Sequence, residues 1–323
     1  MPHVLVAGAL HPEGMALLEA REGLTVEVVE QATPEDLRAR LPEADALAIR
    51  TVTLPEEAVA AASRLKVVAR HGVGYDNIPV PALTARGIPL ALVGAVNALA
   101  VAEHTLFLML ACAKRCVAHD HAVRAGDWWL RNRFEGTELA GKTLLLLGFG
   151  RIGREVAARA AVFGLTVTAY DPVVPAETVA AAGVAPLADW RAALPEADFV
   201  SLHLPLSDET RNLFDAATLA AMKPSAILIN TARGGLVDEA ALAEAVTAGR
   251  LAGAGIDVFV EEPPEPDNPL MAVERVILSP HTAGLTLECA IRMGTVTARN
   301  VLDGLDGTLD RSLVVNREVL DAG

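Results

Sequence analysis

The chain has 323 residues, 52% of them hydrophobic, and a formal net charge of −14. That length predicts two domains of ordinary size with ample core, and the acidic balance argues against nucleic acid or an anionic membrane as the main partner. The apolar stretch LALVGAVNALAVAEHTLFLMLACA is broken by Gly94, Asn97, Glu103 and His104, so it reads as a strand end and a buried helix, with no membrane span expected.

The N-terminal MPHVLVAGAL has no basic region and runs straight into a strand, so no secretory leader is expected. In the first third, HVLVAGA, LTVEVVE, ADALAIR, LKVVAR and IPLAL read as strands, separated by helical pieces such as PEGMALLEARE and PEDLRARL. A long helix is predicted over residues 98–125, with Glu103 and His104 near its start. From Lys142 the alternation restarts with TLLLLGFG, LTVTAYD, FVSLHLP, AILIN, AGAGIDV and VILSP. A last helix is predicted over about 285–305, followed by a short strand-like LVV. The fold class is therefore α/β: two Rossmann-like domains with doubly wound parallel sheets. The second is expected to be inserted into the first, with residues 98–285 inside a domain made of 1–97 and 286–323. Three cysteines, an odd number, point to free thiols in a reducing cytoplasm.

TLLLLGFGRIGREVAARAAVFGLTVTAYDP carries Gly148, Gly150 and Gly153 in GxGxxG spacing between an apolar strand and a helix. Gly148 suits the tight turn, Gly150 the approach of a pyrophosphate to the backbone, and Gly153 close helix–strand packing. Arg151 and Ile152 fall in the first helical turn, whose free N–H groups suit phosphate. Asp171 stands 18 residues past the last glycine, where a carboxylate accepts from ribose hydroxyls and repels a 2′-phosphate; Pro172, not a basic residue, follows it. NAD is therefore expected over NADP. A glycine turn with no ligand is the plain alternative.

Three more apolar strands each end in a polar group: INTARGG with Arg233, GIDVFVEEPP with Asp257, Glu261 and Glu262, and ILSPHTAG with His281. In open parallel sheets the carboxyl-end loops line the ligand crevice. An arginine, a carboxylate and a histidine beside a nicotinamide site suit hydride transfer. Singly, His281 reads equally as a loop histidine, and Glu261 with Glu262 as a solvated acidic pair.

The runs RHGVGYDNI, RGIPL, VAEHTLFLMLACAKR, RAGDWW, GTELAGKTLLLLGFGRIG, LHLPLSDETRNL, NTARGGLVDEAAL, GAGIDVFVEEPP and SPHTAG span nearly the whole chain. In them the chain resembles the D-2-hydroxyacid dehydrogenases, most nearly the D-3-phosphoglycerate dehydrogenase branch. The resemblance implies an NAD domain inserted into a substrate domain, a cleft between them, and a homodimer built around the long helix near Glu103. It places the family's arginine on Arg233, its acid on Glu262 (the glutamate before the proline) and its histidine on His281. Arg233 then holds the substrate carboxylate and polarises the C2 oxygen, His281 exchanges the hydroxyl proton, and Glu262 orients the imidazole and stabilises its charged form. Asp257 falls where the family holds the nicotinamide carboxamide, and the amides of Val73 and Gly74 where it grips the substrate carboxylate. His203, Pro205, Thr210 and Thr231 are implied cofactor contacts. A formate dehydrogenase fits poorly, because that branch lacks the acid placed at Glu262.

Arg50 and Arg70 close two strands of the first domain. If those strands are neighbours their ends lie roughly 5 Å apart, and both guanidiniums can face the substrate. A second cationic pair suggests a second anion on the substrate, although arginines in so acidic a chain also pair with surface acids. Two departures bear on the substrate. The chain ends soon after LVVNREVL, without the regulatory domain of many phosphoglycerate enzymes, and Leu285 stands where many relatives have a small residue. The expected activity is NAD-dependent oxidoreduction of a small anionic 2-hydroxy or 2-keto acid, 3-phosphoglycerate-like or otherwise doubly anionic. Hydroxypyruvate or glyoxylate reduction and sulfolactate oxidation are alternatives; a non-enzymatic NAD(H)-sensing protein of the same fold is an alternative of another class. Cys112, Cys116, His119 and His121 lack a zinc spacing, so no metal is expected. Trp128 and Trp129 read as a dimer arm or domain contact.

Overall fold

The computed structural model describes residues 1–321. Its described residues divide into two compact units, one of residues 1–97 with those from 285 onward and one of 98–284.

The first unit carries β1 (His3–Ala7), β2 (Thr25–Val29), β3 (Ala46–Ile49), β4 (Val67–Arg70) and β5 (Leu90–Ala91), all parallel in the order β2-β1-β3-β4-β5. This is the flavodoxin-like variant of the doubly wound sheet, whose switch point lies between β1 and β3. Alternation along the strands feeds two cores. Leu5, Leu47, Ile49, Val68 and Leu90 fill one face, and Val4, Val6, Ala46, Ala48, Val67 and Ala69 pack the other against Ala298 and Val301 of the terminal helix. That helix, Leu287–Asp306, starts on a Thr286 cap that accepts the Cys289 amide and stops at Gly307 in the left-handed region. The LVV segment forms only an isolated antiparallel bridge, Val314 to Ala91.

The second unit carries β6 (Thr143–Leu147), β7 (Thr166–Tyr170), β8 (Ala185–Pro186), β9 (Phe199–Leu202), β10 (Ile227–Asn230), β11 (Gly253–Ile256) and β12 (Val276–Leu278). Their order, β12-β11-β10-β9-β6-β7-β8, is the Rossmann order with its switch point between β6 and β9. β8 was not foreseen; with a proline in it, it can only be the sheet edge it forms. β6, β9 and β10 are buried on both faces, which is why they read as continuous apolar runs.

The long helix predicted over 98–125 is two helices, Ala98–Ala113 and Cys116–Arg124. Between them Arg115 takes a left-handed conformation at φ 53°, and the carbonyl of Ala113 accepts the amide of Thr137. The Arg115 guanidinium is drawn to Glu135 at 3.3 Å and Glu274 at 3.7 Å, long-range partners that local helix propensity does not register. The break also puts Cys112 and Cys116 on separate helices. Cys112 is buried, and burial pushes its thiol up to about 12, while Cys116 is exposed.

A buried histidine gives the first unit a pH dependence. His71 follows β4; burial first, then the charges of Arg50 and Arg70, push it down to about 4. The unfolded chain takes up this proton near pH 6.5 and the folded chain only near 4, so the stability is present above 6.5 and lost as pH falls toward 4. At full effect this is on the order of 3 kcal/mol. The urea midpoint is expected to fall from pH 7.5 to 4.5, and His71→Asn to flatten that fall. Identical pH profiles for the two proteins would contradict the assignment.

Candidate active site

The glycine loop after β6 is a cradle. Gly148 has φ +101°, and a Cβ there would stand 2.5 Å from the carbonyl oxygen of His203. Gly153 leans so closely on the Gly148 carbonyl that no side chain fits between them. Gly150 faces open space, with no atom within 4 Å of the place a Cβ would fill, and it begins the helix Arg151–Val162 with no side-chain cap. The first-turn amides, including those of exposed Arg151 and half-buried Ile152, are thus offered to an anion, which fits a dinucleotide pyrophosphate. His203 adds a buried Nδ1 with no hydrogen-bond partner among the described residues, and burial pushes its imidazole down to about 4. Its Nε2 meets Ser201 Oγ at 2.9 Å.

Several sequence-predicted cofactor residues also shape this loop set. Asp171 accepts the amides of Phe149 at 2.7 Å, Val173 at 2.8 Å and Val174 at 2.9 Å, so the carboxylate at the end of β7 fixes the glycine turn from beneath. The Thr210 hydroxyl receives the Ser207 amide and donates to the carbonyl of Pro205. Thr105 gives its only proton to the Val101 carbonyl, so Thr231 donates across the 3.0 Å contact between the two hydroxyls.

Arg233 leaves β10 in extended conformation. Buried Asn230 holds it by both ends of its amide: Nδ2 donates to the Arg233 carbonyl at 2.8 Å, and Oδ1 accepts from Ala232 N at 3.1 Å. The next residue, Gly234, lies so close to the Phe259 carbonyl that a Cβ would fall inside it. The Arg233 turn is thereby locked to the segment leading to Glu262. Glu262 Oε1 accepts the Phe259 amide at 3.1 Å, and Oε2 meets His281 Nδ1 at 2.7 Å. Burial works against the Glu262 charge; the bond to His281, the charge of that imidazole, the Phe259 amide and the Arg233 guanidinium outweigh it and hold the carboxyl below its ordinary range. Glu262 therefore stays ionised and accepts, which places a proton on His281 Nδ1 and leaves Nε2 for exchange. His281 sits at φ 51°, a conformation rare for a residue with a Cβ, with its side chain 43% exposed.

The structure places His281 and Glu262 in contact and sets the Arg233 turn against the segment that leads to Glu262, all within this unit. Sequence reasoning missed Asn230, His104 and Ser279. Asn230 shows only as a polar residue closing an apolar run, and Ser279 only as a hydroxyl two positions before His281. Asp257, read as a carboxamide contact, has both carboxylate oxygens engaged by the His281 loop: Ser279 Oγ and the amides of Thr282 and Ala283.

In the first unit the strand register refines the reading of the arginine pair. Arg70 stands opposite Ile49, not Arg50, and side chains alternate, so Arg50 and Arg70 leave opposite faces of neighbouring strands. Arg50 packs over Gly8 at the β1–β3 switch point and reaches the Ala9 carbonyl, while buried Arg70 turns over Gly72 to the His71 carbonyl. Val73 and Gly74 follow in the same loop, both half-buried.

The family model described as "D-isomer specific 2-hydroxyacid dehydrogenase, NAD binding domain" matches residues 106–283. The chain is 40% identical to a D-3-phosphoglycerate dehydrogenase of Methanocaldococcus jannaschii over 97% of its own length, but spans only 59% of that relative. It is 40% identical to a glyoxylate reductase of Aeropyrum pernix over 99% of this chain and 97% of the other. Among solved structures, a D-lactate dehydrogenase from Aquifex aeolicus in complex with NAD and lactic acid superposes with a TM-score of 0.88 at 28% identity, covering 97% of this chain and 99% of that one. The chain therefore belongs to the D-isomer specific 2-hydroxyacid dehydrogenase family, and its second unit holds that family's NAD-binding domain.

Proposed function

We propose that the protein is an NAD-dependent oxidoreductase that interconverts a D-2-hydroxy acid and its 2-keto acid. The observation that carries this reading is the 2.7 Å His281–Glu262 pair, with the Arg233 turn held against the same segment by the close approach of Gly234 to Phe259, inside a domain of the NAD-binding family. When bound, NAD supplies the hydride acceptor or donor. The chain supplies the rest. Arg233 binds the substrate carboxylate and polarises the C2 oxygen with a fork suited to both. His281 Nε2 takes the hydroxyl proton in oxidation and returns it in reduction, while Glu262 balances the imidazolium that forms. The amides of Val73 and Gly74 share the carboxylate. Asp171, with no basic neighbour at Pro172, favours NAD over a 2′-phosphorylated cofactor.

The substrate proposed is doubly anionic, a phosphorylated three-carbon acid or a close analogue, with Arg50, packed over Gly8 at the β1–β3 switch point, taking the far anion. Charge-assisted hydrogen bonds of this kind are worth about 1.5–3 kcal/mol. Arg50→Ala is therefore expected to raise KM for 3-phosphohydroxypyruvate by about ten- to a hundredfold and to leave KM for glyoxylate within about threefold. Equal changes for both keto acids would remove the case for a second anion.

We also place the working protein as a homodimer. The helix Cys116–Arg124 and the Trp128–Arg133 segment leave Val117, Val123, Trp128, Trp129 and the neighbouring Phe134 exposed in one stretch of chain. Apolar surface concentrated in this way marks an association face. Sedimentation is expected to give twice the chain mass, and Trp128→Ser with Trp129→Ser to lower it; a monomeric parent protein would refute this.

A further inference from the structure

A line of side chains outside the Arg233–Glu262–His281 set ends on the His281 loop, and proton counting fixes its direction. Asp257 is fully buried, and its Oδ1 receives Ser279 Oγ at 2.6 Å, a charge-assisted bond that uses the only proton of that hydroxyl. Ser279 Oγ must then accept from His104 Nε2, 2.9 Å away, so His104 carries its proton on Nε2. Asp257 Oδ1 also accepts the amide of Thr282 and Oδ2 that of Ala283, each at 2.9 Å, immediately after His281, and His104 Nε2 itself stands 3.5 Å from Oδ1. The Asp257 carbonyl takes the His281 amide itself at 2.8 Å. A residue at φ 51° keeps that conformation only when its surroundings impose it, and this set grips the backbone of His281 and of the two residues after it.

We infer that His104 is a positioning residue of the reaction: its Nε2–H aims the Ser279 hydroxyl onto Asp257, and Asp257 holds the loop that presents His281 to Glu262. The inference rests on the reading of His281 as the proton-transfer group. His104 also packs on Phe107, ring centroids 5.6 Å apart, so a test must separate shape from donation.

His104→Phe keeps an aromatic ring and deletes the donor, whereas His104→Gln keeps an N–H at similar reach. His104→Phe is expected to lower kcat by about ten- to a hundredfold, with KM for NADH and for the keto acid each within about threefold. His104→Gln is expected to recover to within about threefold of the parent protein. Ser279→Ala should cost as much as His104→Phe, and the double variant no more than Ser279→Ala, because both act through one carboxylate. The inference is overturned if His104→Phe turns over normally, if His104→Gln is no better, if the two losses multiply, or if NADH binding is lost as well. His281→Ala assayed alongside separates the two claims. If it remains active, the proton-transfer reading falls and this inference with it. If it is inactive beside a fully active His104→Phe, the inference alone falls.

Discussion

Replacing His281 by alanine is expected to lower kcat by about 10²–10⁴-fold while NADH still binds. The side chain sits after β12, at the opposite edge of the sheet order from β6 and its glycine cradle, and its imidazole pairs with Glu262. Removing the imidazole deletes the group that exchanges the substrate proton and leaves the dinucleotide turn intact. Glu262 would lose its strongest favourable partner in the same step, so its carboxyl should move back toward its ordinary range. Stopped-flow turnover and NADH fluorescence titration check both halves; turnover close to that of the parent protein would refute the role given to His281.

Gly234→Ala should be nearly as severe for a different reason. The added Cβ falls inside the Phe259 carbonyl, and that obstacle is backbone, which cannot swing away as a side chain can. Either Arg233 or the Phe259–Glu262 segment must shift. Overpacking of this kind costs about 1–3 kcal/mol or more, and a shift of roughly 1 Å at a substrate-holding arginine costs about a hundredfold in kcat/KM. Urea unfolding and steady-state kinetics are both expected to register it. A variant with parental stability and kinetics would mean that the contact between these loops is looser than described.

These two residues also show what a sequence discloses. Arg233, Glu262 and His281 were legible because parallel sheets send function to strand ends, and each follows an apolar run that marks its strand. The glycine cradle was legible because its spacing sits between a strand and a helix. The break at Arg115 was not, since the groups that meet it there, Glu135, Glu274 and the Thr137 amide on the Ala113 carbonyl, come from distant segments with no local signature. Arg50 and Arg70 were recognised as cations at the ends of neighbouring strands, but the register that sets Arg70 opposite Ile49 was not legible, and an offset of one residue reverses the face of a strand. Asp257 was found and given only an external task; that its oxygens serve Ser279, Thr282 and Ala283 follows from loop geometry that no spacing encodes.

The most direct test of the central claim follows a labelled hydride. NADH deuterated at the nicotinamide C4, incubated with the protein and a panel of 2-keto acids including 3-phosphohydroxypyruvate, hydroxypyruvate and glyoxylate, is expected to deliver deuterium to C2 of a D-2-hydroxy acid, fastest for the doubly anionic member. Tight NADH binding with no deuterium transferred to any of them would contradict it and leave a nicotinamide-sensing protein of this fold.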